Sequence, residues 1–232
     1  MRIQVDFYID NNHLKFYNPL TEAMTGFLYR MIAIGDKKYA TTLHNGYSHA
    51  GHKKFVHHAY SFSQDNQIVQ LGLKRGKATL VLSSVLEDTI INFTKGLIRT
   101  GQVQLFGYGF DIQEITYIKE PKFDSSNMFR TLSPICCLGS GYEWLSVEQV
   151  EEKSAALLIE KYYSLHNRLP MNSDVRVKML APKTEYMKYK GLTFKTYSGS
   201  VIIEGDKDIV KLAYQGGLGS KCGLGMGLLE AI

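Results

Sequence analysis

Cysteine is scarce. The 232-residue chain has three, Cys136, Cys137 and Cys222, too few for a disulfide framework, and the adjacent pair lacks the spacing of a zinc knuckle. A reducing, cytoplasmic setting is expected. Long hydrophobic runs are missing too: no stretch of 18 apolar residues occurs, and the opening Met1-Arg2-Ile3-Gln4-Val5-Asp6 alternates instead of forming a signal-peptide core. Neither a membrane span nor a secretion signal is expected. A surplus of one charge sign is also absent, since 27 Lys plus Arg face 22 Asp plus Glu for a net charge of +5, which excludes acidic or highly charged disorder. With 44% hydrophobic and 21% charged residues the composition is globular, and a chain of this length buries roughly 70–75% of its unfolded surface. One large domain or two small ones fit.

The basic residues are unevenly spread. Residues 1–122 carry 14 basic and 10 acidic side chains, and residues 123–232 carry 13 and 12. A modest polyanion footprint on the first half is one reading, and an ordinary solubility charge is the other.

Hydrophobic period gives the organisation. Ile3, Val5, Phe7 and Ile9 alternate as in a half-buried strand. Met24, Phe27, Leu28, Met31 and Ile32 then follow the spacing of an amphipathic helix that runs to Gly35. Tyr29 lies about 130° from that stripe, at ~100° per residue, so it is either solvent-exposed or aimed at a site. A short helix at 38–43, a Gly- and His-rich loop at 44–54, strands near 59–63, 68–74 and 77–83, a helix closed by Gly101 and an extended segment from 102 to 119 complete the first half. The strands at 68–74 and 77–83 are expected to join through a tight turn at Arg75-Gly76. If the short helix extends the first one, the order is β-α-β-β-α-β, the ferredoxin-like order. Pro121 and the polar Asp124-Ser125-Ser126-Asn127 place a linker at about 121–127, dividing the chain into 1–122 and 123–232. The second half repeats the order in degraded form: a strand at 129–138, a helix at 147–166, extended segments at 175–181, 192–196 and 200–204, and a helix at 206–214. The fold class expected is α+β, two tandem ferredoxin-like domains with a glycine-rich C-terminal loop.

Two clusters could carry chemistry. From Gly216 to Gly227 six of twelve residues are glycine, so the backbone N–H groups are free of side-chain bulk and could approach a phosphate. No Gly-Lys-Ser/Thr opens a helix and no strand precedes the run, so it is neither a Walker loop nor a dinucleotide fingerprint. A turn packed tightly on the last strand is the competing reading. The second cluster is imidazole: five of seven histidines, His44, His49, His52, His57 and His58, fall within fifteen residues around Lys53 and Lys54. Histidine suits proton transfer because its ordinary pKa of about 6.5 allows either form near neutrality. Zinc ligation by the same imidazoles is the weaker alternative, since no acidic or Cys residue of the stretch completes a usual ligand set, and no metal or other cofactor is expected.

The spacing Gly217-x-Gly219, five residues, Gly225-x-Gly227 after a Lys-Leu-Ala-Tyr helix end is similar to the C-terminal signature of the RAMP superfamily. More narrowly it resembles the CRISPR repeat-RNA processing endoribonucleases. Phe-Leu-Tyr (27–29), Ala-Thr-Thr-Leu-His (40–44), Ala-Tyr-Ser-Phe-Ser (59–63), Leu-Ser-Pro-Ile (132–135) and Glu-Lys-Tyr-Tyr (160–163) agree in family order across nearly the whole chain. The resemblance implies two tandem ferredoxin-like, RNA-recognition-like domains. It implies a metal-independent endoribonuclease that cuts CRISPR precursor RNA within its repeats to give mature crRNA. In that reaction the ribose 2′-OH attacks the adjacent phosphorus, leaving a 2′,3′-cyclic phosphate and a 5′-OH.

It also suggests roles for residues. His44, where the family often places its catalytic histidine, would do acid–base work, and Tyr29 would orient phosphate or ribose. His58 stands where a lysine is expected, so either His58 or one of Lys53 and Lys54 would complete the site. Gly217, Gly219, Lys221, Gly223, Gly225 and Gly227 would lie nearest the RNA backbone, and Lys74, Arg75, Lys77 and Arg130 are second-tier RNA-binding candidates. Cys222 is expected to be passive. The partners implied are repeat RNA and crRNA, other Cas proteins of an effector complex, and a homodimer where the family forms one; no membrane partner is implied. The rival reading is a non-catalytic RAMP subunit that holds crRNA in an effector complex, and a generic RNA-recognition module stands behind both.

Overall fold

The computed structural model describes residues 1–14, 20–45, 55–65, 67–68 and 72–232. β1 (Arg2–Leu14) buries Ile3, Val5, Phe7 and Ile9 on one face, and α1 (Leu20–Gly35) lays its Met24, Phe27, Leu28, Met31 and Ile32 stripe on them. Asp36 interrupts the helix: its Oδ1 accepts the Tyr39 amide at 2.9 Å, so α2 (Lys37–Asn45) starts as a separate helix. β2 (His58–Gln64), β3 (Gln67–Ile68), β4 (Leu73–Ser84), α3 (Glu87–Thr100), β5 (Gln102–Leu105) and β6 (Tyr108–Tyr117) follow. The antiparallel sheet has the order β3-β2-β4-β1-β6-β5. Its four principal strands, β6-β1-β4-β2, stand in the 4-1-3-2 order of a ferredoxin-like sheet.

β7 (Ser126–Thr131), α4 (Val147–His166), β8 (Arg176–Tyr189), β9 (Leu192–Glu204), α5 (Lys207–Gly216) and β10 (Leu229–Ala231) form the second unit. Its sheet order, β10-β7-β9-β8, is again 4-1-3-2. α4 opens on a capping box, with Ser146 Oγ accepting the Gln149 amide and the Gln149 side chain accepting the Ser146 amide. The molecule is therefore two ferredoxin-like units in tandem, and the second is complete in element order.

Several local expectations fail for identifiable reasons. β4 runs unbroken through Arg75-Gly76: Gly76 at φ 141 pairs with Ile9, beside a register shift in β1 between Ile9 and His13, so it bends the strand without reversing it. The tight reversal lies earlier, at Asp65 (φ 51), between Gln64 and Gln67. The segment read as extended from 102 to 119 is a hairpin that turns at Phe106 and Gly107, both at positive φ. The strand expected over 129–138 stops at Thr131, ahead of Pro134, and Ile135, Cys136 and Leu138 make isolated bridges instead. β9 is one strand, not two, because a shift against β8 between Leu180 and Lys183 absorbs Gly199. β10, only three residues long, was missed.

The two units share a tight seam. Arg2 is fully buried, its Nη2 donating to the Tyr214 carbonyl at 2.6 Å and its guanidinium 3.6 Å over the Tyr214 ring. Burial draws its pKa down to about 10. Ser61 Oγ donates to the Leu132 carbonyl at 2.6 Å, and Ala59 and Val81 pack with Cys222 and Leu228.

Candidate active site

At the seam lies a cleft of about 400 Å³ lined from three sides. The first unit supplies Tyr29 from α1, His44 from the last turn of α2, and Phe55 and Val56 ahead of β2; α4 supplies Leu157 and Lys161; the glycine-rich loop supplies Ser220 to Leu224. Tyr29 is half-buried, with its ring edge-on to His44 at 5.3 Å and to His58 at 5.8 Å. Its off-stripe position on α1 is what turns it into the cleft. Burial, with smaller effects from Tyr189 and Tyr39, pushes its pKa up to about 12, so burial favours the neutral phenol, a group able to donate a hydrogen bond. His44 is exposed. His49, His52, Lys53 and Lys54 lie outside the described residues. Among the described residues no three His, Cys, Asp or Glu side chains converge as metal ligands would.

The glycines of the loop serve packing more than the cleft. Gly217, Gly219, Gly225 and Gly227 are buried, whereas Ser220, Lys221, Gly223 and Leu224 are half-exposed. A Cβ on Gly227, at φ 74, would overlap the Leu218 carbonyl oxygen, and one on Gly219 would sit 2.5 Å from the Cys136 carbonyl oxygen. The amides of Gly217, Gly225 and Gly227 already donate to the carbonyls of Ala213, Cys222 and Pro134. Those three glycines therefore offer no amide to a phosphate, and the loop presents only its 220–224 arc.

Lys161 was missed in the sequence. It is buried, and its Nζ donates to the Gly217 carbonyl at 2.8 Å and lies 3.3 Å from Cys222 Sγ, tying α4 to the loop. The signal was available: a lysine stands in the apolar stripe Leu157, Leu158, Tyr162, Leu165 of α4, where a charge is retained only with partners. All three cysteines are buried thiols, and burial pushes Cys136 up to about 12.

His57 and His58 are enclosed. Ser164 Oγ lies 3.1 Å from His57 Nε2, while neither ring nitrogen of His58 has a hydrogen-bond partner among the described residues. A Cβ on Gly223 would come within 3.4 Å of His58 Nε2. Burial, aided at His57 by Lys161, draws the two pKa values down to about 3 and about 4. Burial thus disfavours the charged form of both rings in the folded protein. The unfolded chain protonates these rings near 6.5. Between that value and about 4 it binds more protons than the folded chain, so stability is full above pH 6.5 and falls as the pH drops. Each histidine should cost on the order of 2 kcal/mol at pH 5. Urea unfolding at pH 7.5 and 5.0 checks this, with His58→Leu expected to flatten the dependence; an unchanged slope would refute it.

The second-tier basic residues lie elsewhere. Lys77 pairs with Asp6 at 2.8 Å and Arg130 with Glu230; both line a separate groove with Arg2 and Tyr214, across the first sheet from its helices. Lys74 and Arg75 are exposed on β4. None of the four reaches the His44 cleft.

Tandem ferredoxin-like units with a glycine-rich C-terminal loop closing into the seam are the arrangement against which known proteins compare. Residues 118–231 match the family model of the CRISPR associated protein Cas6, C-terminal. The chain is 27% identical over 99% of its length to "CRISPR-associated endoribonuclease Cas6 1" of Methanocaldococcus jannaschii, covering 92% of that protein. It is 26% identical over 89% of its length to "CRISPR-associated endoribonuclease Cas6" of Pyrococcus furiosus, covering 80% of that protein. A solved structure described as "An RAMP protein binding different RNA substrates" superposes with a TM-score of 0.80 at 19% identity, covering 100% of this chain and 99% of the other. The second half of the chain thus matches the Cas6 C-terminal family model, and nearly the whole chain is similar to Cas6 endoribonucleases. No helix among the described residues is long and apolar enough to cross a membrane.

Proposed function

We propose that the protein is an endoribonuclease that binds CRISPR repeat RNA and cuts it by attack of a ribose 2′-OH on the adjacent phosphorus. The observation that carries this reading is the pairing of Tyr29 with His44 in a cleft whose opposite wall is the 220–224 arc of the glycine-rich loop. The Cas6 endoribonucleases it resembles support it. The reaction needs a proton taken from the 2′-oxygen, a proton given to the departing 5′-oxygen, and positive charge opposite the phosphorane. His44, the exposed imidazole of the cleft, exchanges protons with the reacting oxygens. Tyr29, neutral and held edge-on between two imidazoles, donates its O–H to a phosphate oxygen. His58 backs the Tyr29 ring. Lys221 on the loop supplies positive charge, and Lys53 and Lys54, one or both, add to it. The P–O bond to the 5′-oxygen breaks as the bond from the 2′-oxygen forms, leaving the cyclic phosphate and a 5′-OH. No step calls for a metal or other cofactor.

Repeat RNA incubated with the protein in excess EDTA should be cut once per repeat, and a single 2′-deoxy sugar at the cut position should abolish cleavage. Tight binding without cutting would point instead to the RNA-holding subunit. Cleavage restored only by added metal would overturn the mechanism.

A further inference from the structure

The chain has one tryptophan, and it is not in the core. Trp144 is 52% exposed, beside Tyr186 of β8, itself 48% exposed, with ring centroids 5.5 Å apart and the planes tilted by 55°. Large aromatic rings left in water forfeit the burial that usually stabilises a fold. This exposure is built in. Trp144 bridges Leu138 through its backbone, and the Tyr197 hydroxyl donates to the carbonyl of the neighbouring Leu145 at 2.8 Å, so the segment is anchored while the indole faces outward.

Two lysines flank Tyr186 on the hairpin, while Glu143 precedes Trp144. Lys195 stands directly across from Tyr186 in the β8–β9 ladder, and Lys188 across from Thr193. Side chains two apart on a strand share a face, so Thr184, Tyr186 and Lys188 stand with Thr193, Lys195 and Tyr197, and the two strands bring no carboxylate to that face. Glu185 and Met187 point the other way, where Met187 and Phe194 pack on Met226 of the glycine-rich loop. The tip of the same hairpin reaches the first unit, with the Lys190 amide donating to Glu22 Oε1 of α1 at 2.6 Å. From Tyr189 at the tip to Tyr186 is roughly 10 Å of strand. The hairpin thus supports the cleft loop through Met187 and Phe194 and carries Tyr186, tilted against Trp144, with Lys188 and Lys195 on the opposite face.

We propose that Trp144, Tyr186, Lys188 and Lys195 form a stacking platform for unpaired nucleotides of single-stranded RNA that continues from the His44 cleft, a placement that rests on the proposed function. Aromatic rings accept the face of any base, and flanking lysines neutralise the phosphates between bases. The surface therefore holds the strand with little regard to sequence, leaving discrimination to the cleft.

Trp144 emission reports on the platform directly. The intact protein is titrated with repeat RNA carrying the 2′-deoxy sugar that blocks cutting, and separately with a 12-nucleotide oligoadenylate. Saturable quenching by both is expected, and Tyr186→Ala combined with Lys195→Ala should weaken binding of the repeat RNA about tenfold. Repeat RNA retained on filters while Trp144 emission stays constant would overturn the platform, as would an unchanged affinity of the double variant. Quenching by oligoadenylate in a protein that neither prefers nor cuts repeat RNA would sustain the platform and sink the proposed function instead.

Discussion

His44→Ala is expected to slow cleavage of repeat RNA by a factor on the order of 10² or more while leaving affinity for the uncut RNA within about threefold. The asymmetry follows from where the imidazole stands. His44 is an exposed residue in the last turn of a nine-residue helix, so truncating it opens no cavity. In the proposed reaction its contribution is proton transfer, which exists only in the transition state, and loss of an interaction confined to the transition state lowers rate and leaves ground-state binding alone. Single-turnover cleavage with saturating protein separates the two. Equal losses of binding and rate would make His44 a scaffold residue. Tyr29→Phe gives a graded companion: the ring that touches both imidazoles stays, the O–H is lost, and a smaller fall in rate is expected.

The largest structural effect is expected at a position that touches no substrate. Gly227→Ala should destabilise the protein by roughly 3 kcal/mol or more, because it places a Cβ in the left-handed region and drives it into the Leu218 carbonyl. The Leu218 amide donates to the Gly227 carbonyl at 2.8 Å, so the clash also strains the bond that closes the loop. Gly101→Ala separates the two causes. That residue has φ 69 and open space around an added Cβ, so it should cost only about 1 kcal/mol from backbone conformation. Urea denaturation of the two variants makes the comparison, and similar losses would mean that the close packing of the loop contributes nothing.

Much of this was legible because the sequence patterns are local. The stripe on α1 and the alternation in β1 fixed the first layers, and the displacement of Tyr29 from that stripe marked a residue with another task. The glycine spacing pointed to the loop but not to its use. A glycine that lets a backbone approach a phosphate and one that lets it approach another carbonyl look alike in sequence, and only the amide partners of Gly217, Gly225 and Gly227 separate them. The apolar stripe around Lys161 signalled its burial but not its partners, Gly217 and Cys222, which are more than fifty residues away. The turn misplaced at Arg75-Gly76 has the same origin: a strand that bends at a glycine and a chain that reverses there differ in which strand lies opposite.

The contact between Arg2 and Tyr214 spans 212 positions of sequence. All strands of the first sheet are contained in residues 2–117, so that unit has its full complement of strands when about half of the chain has left the ribosome. Its buried arginine then has no carbonyl to bond and no ring to lie against, and one wall of the cleft is still unmade. Contacts of such long separation form late and slowly. During synthesis the cleft is thus completed only once the glycine-rich loop has been made, and a nascent chain without that loop carries His44 and Tyr29 facing no opposite wall.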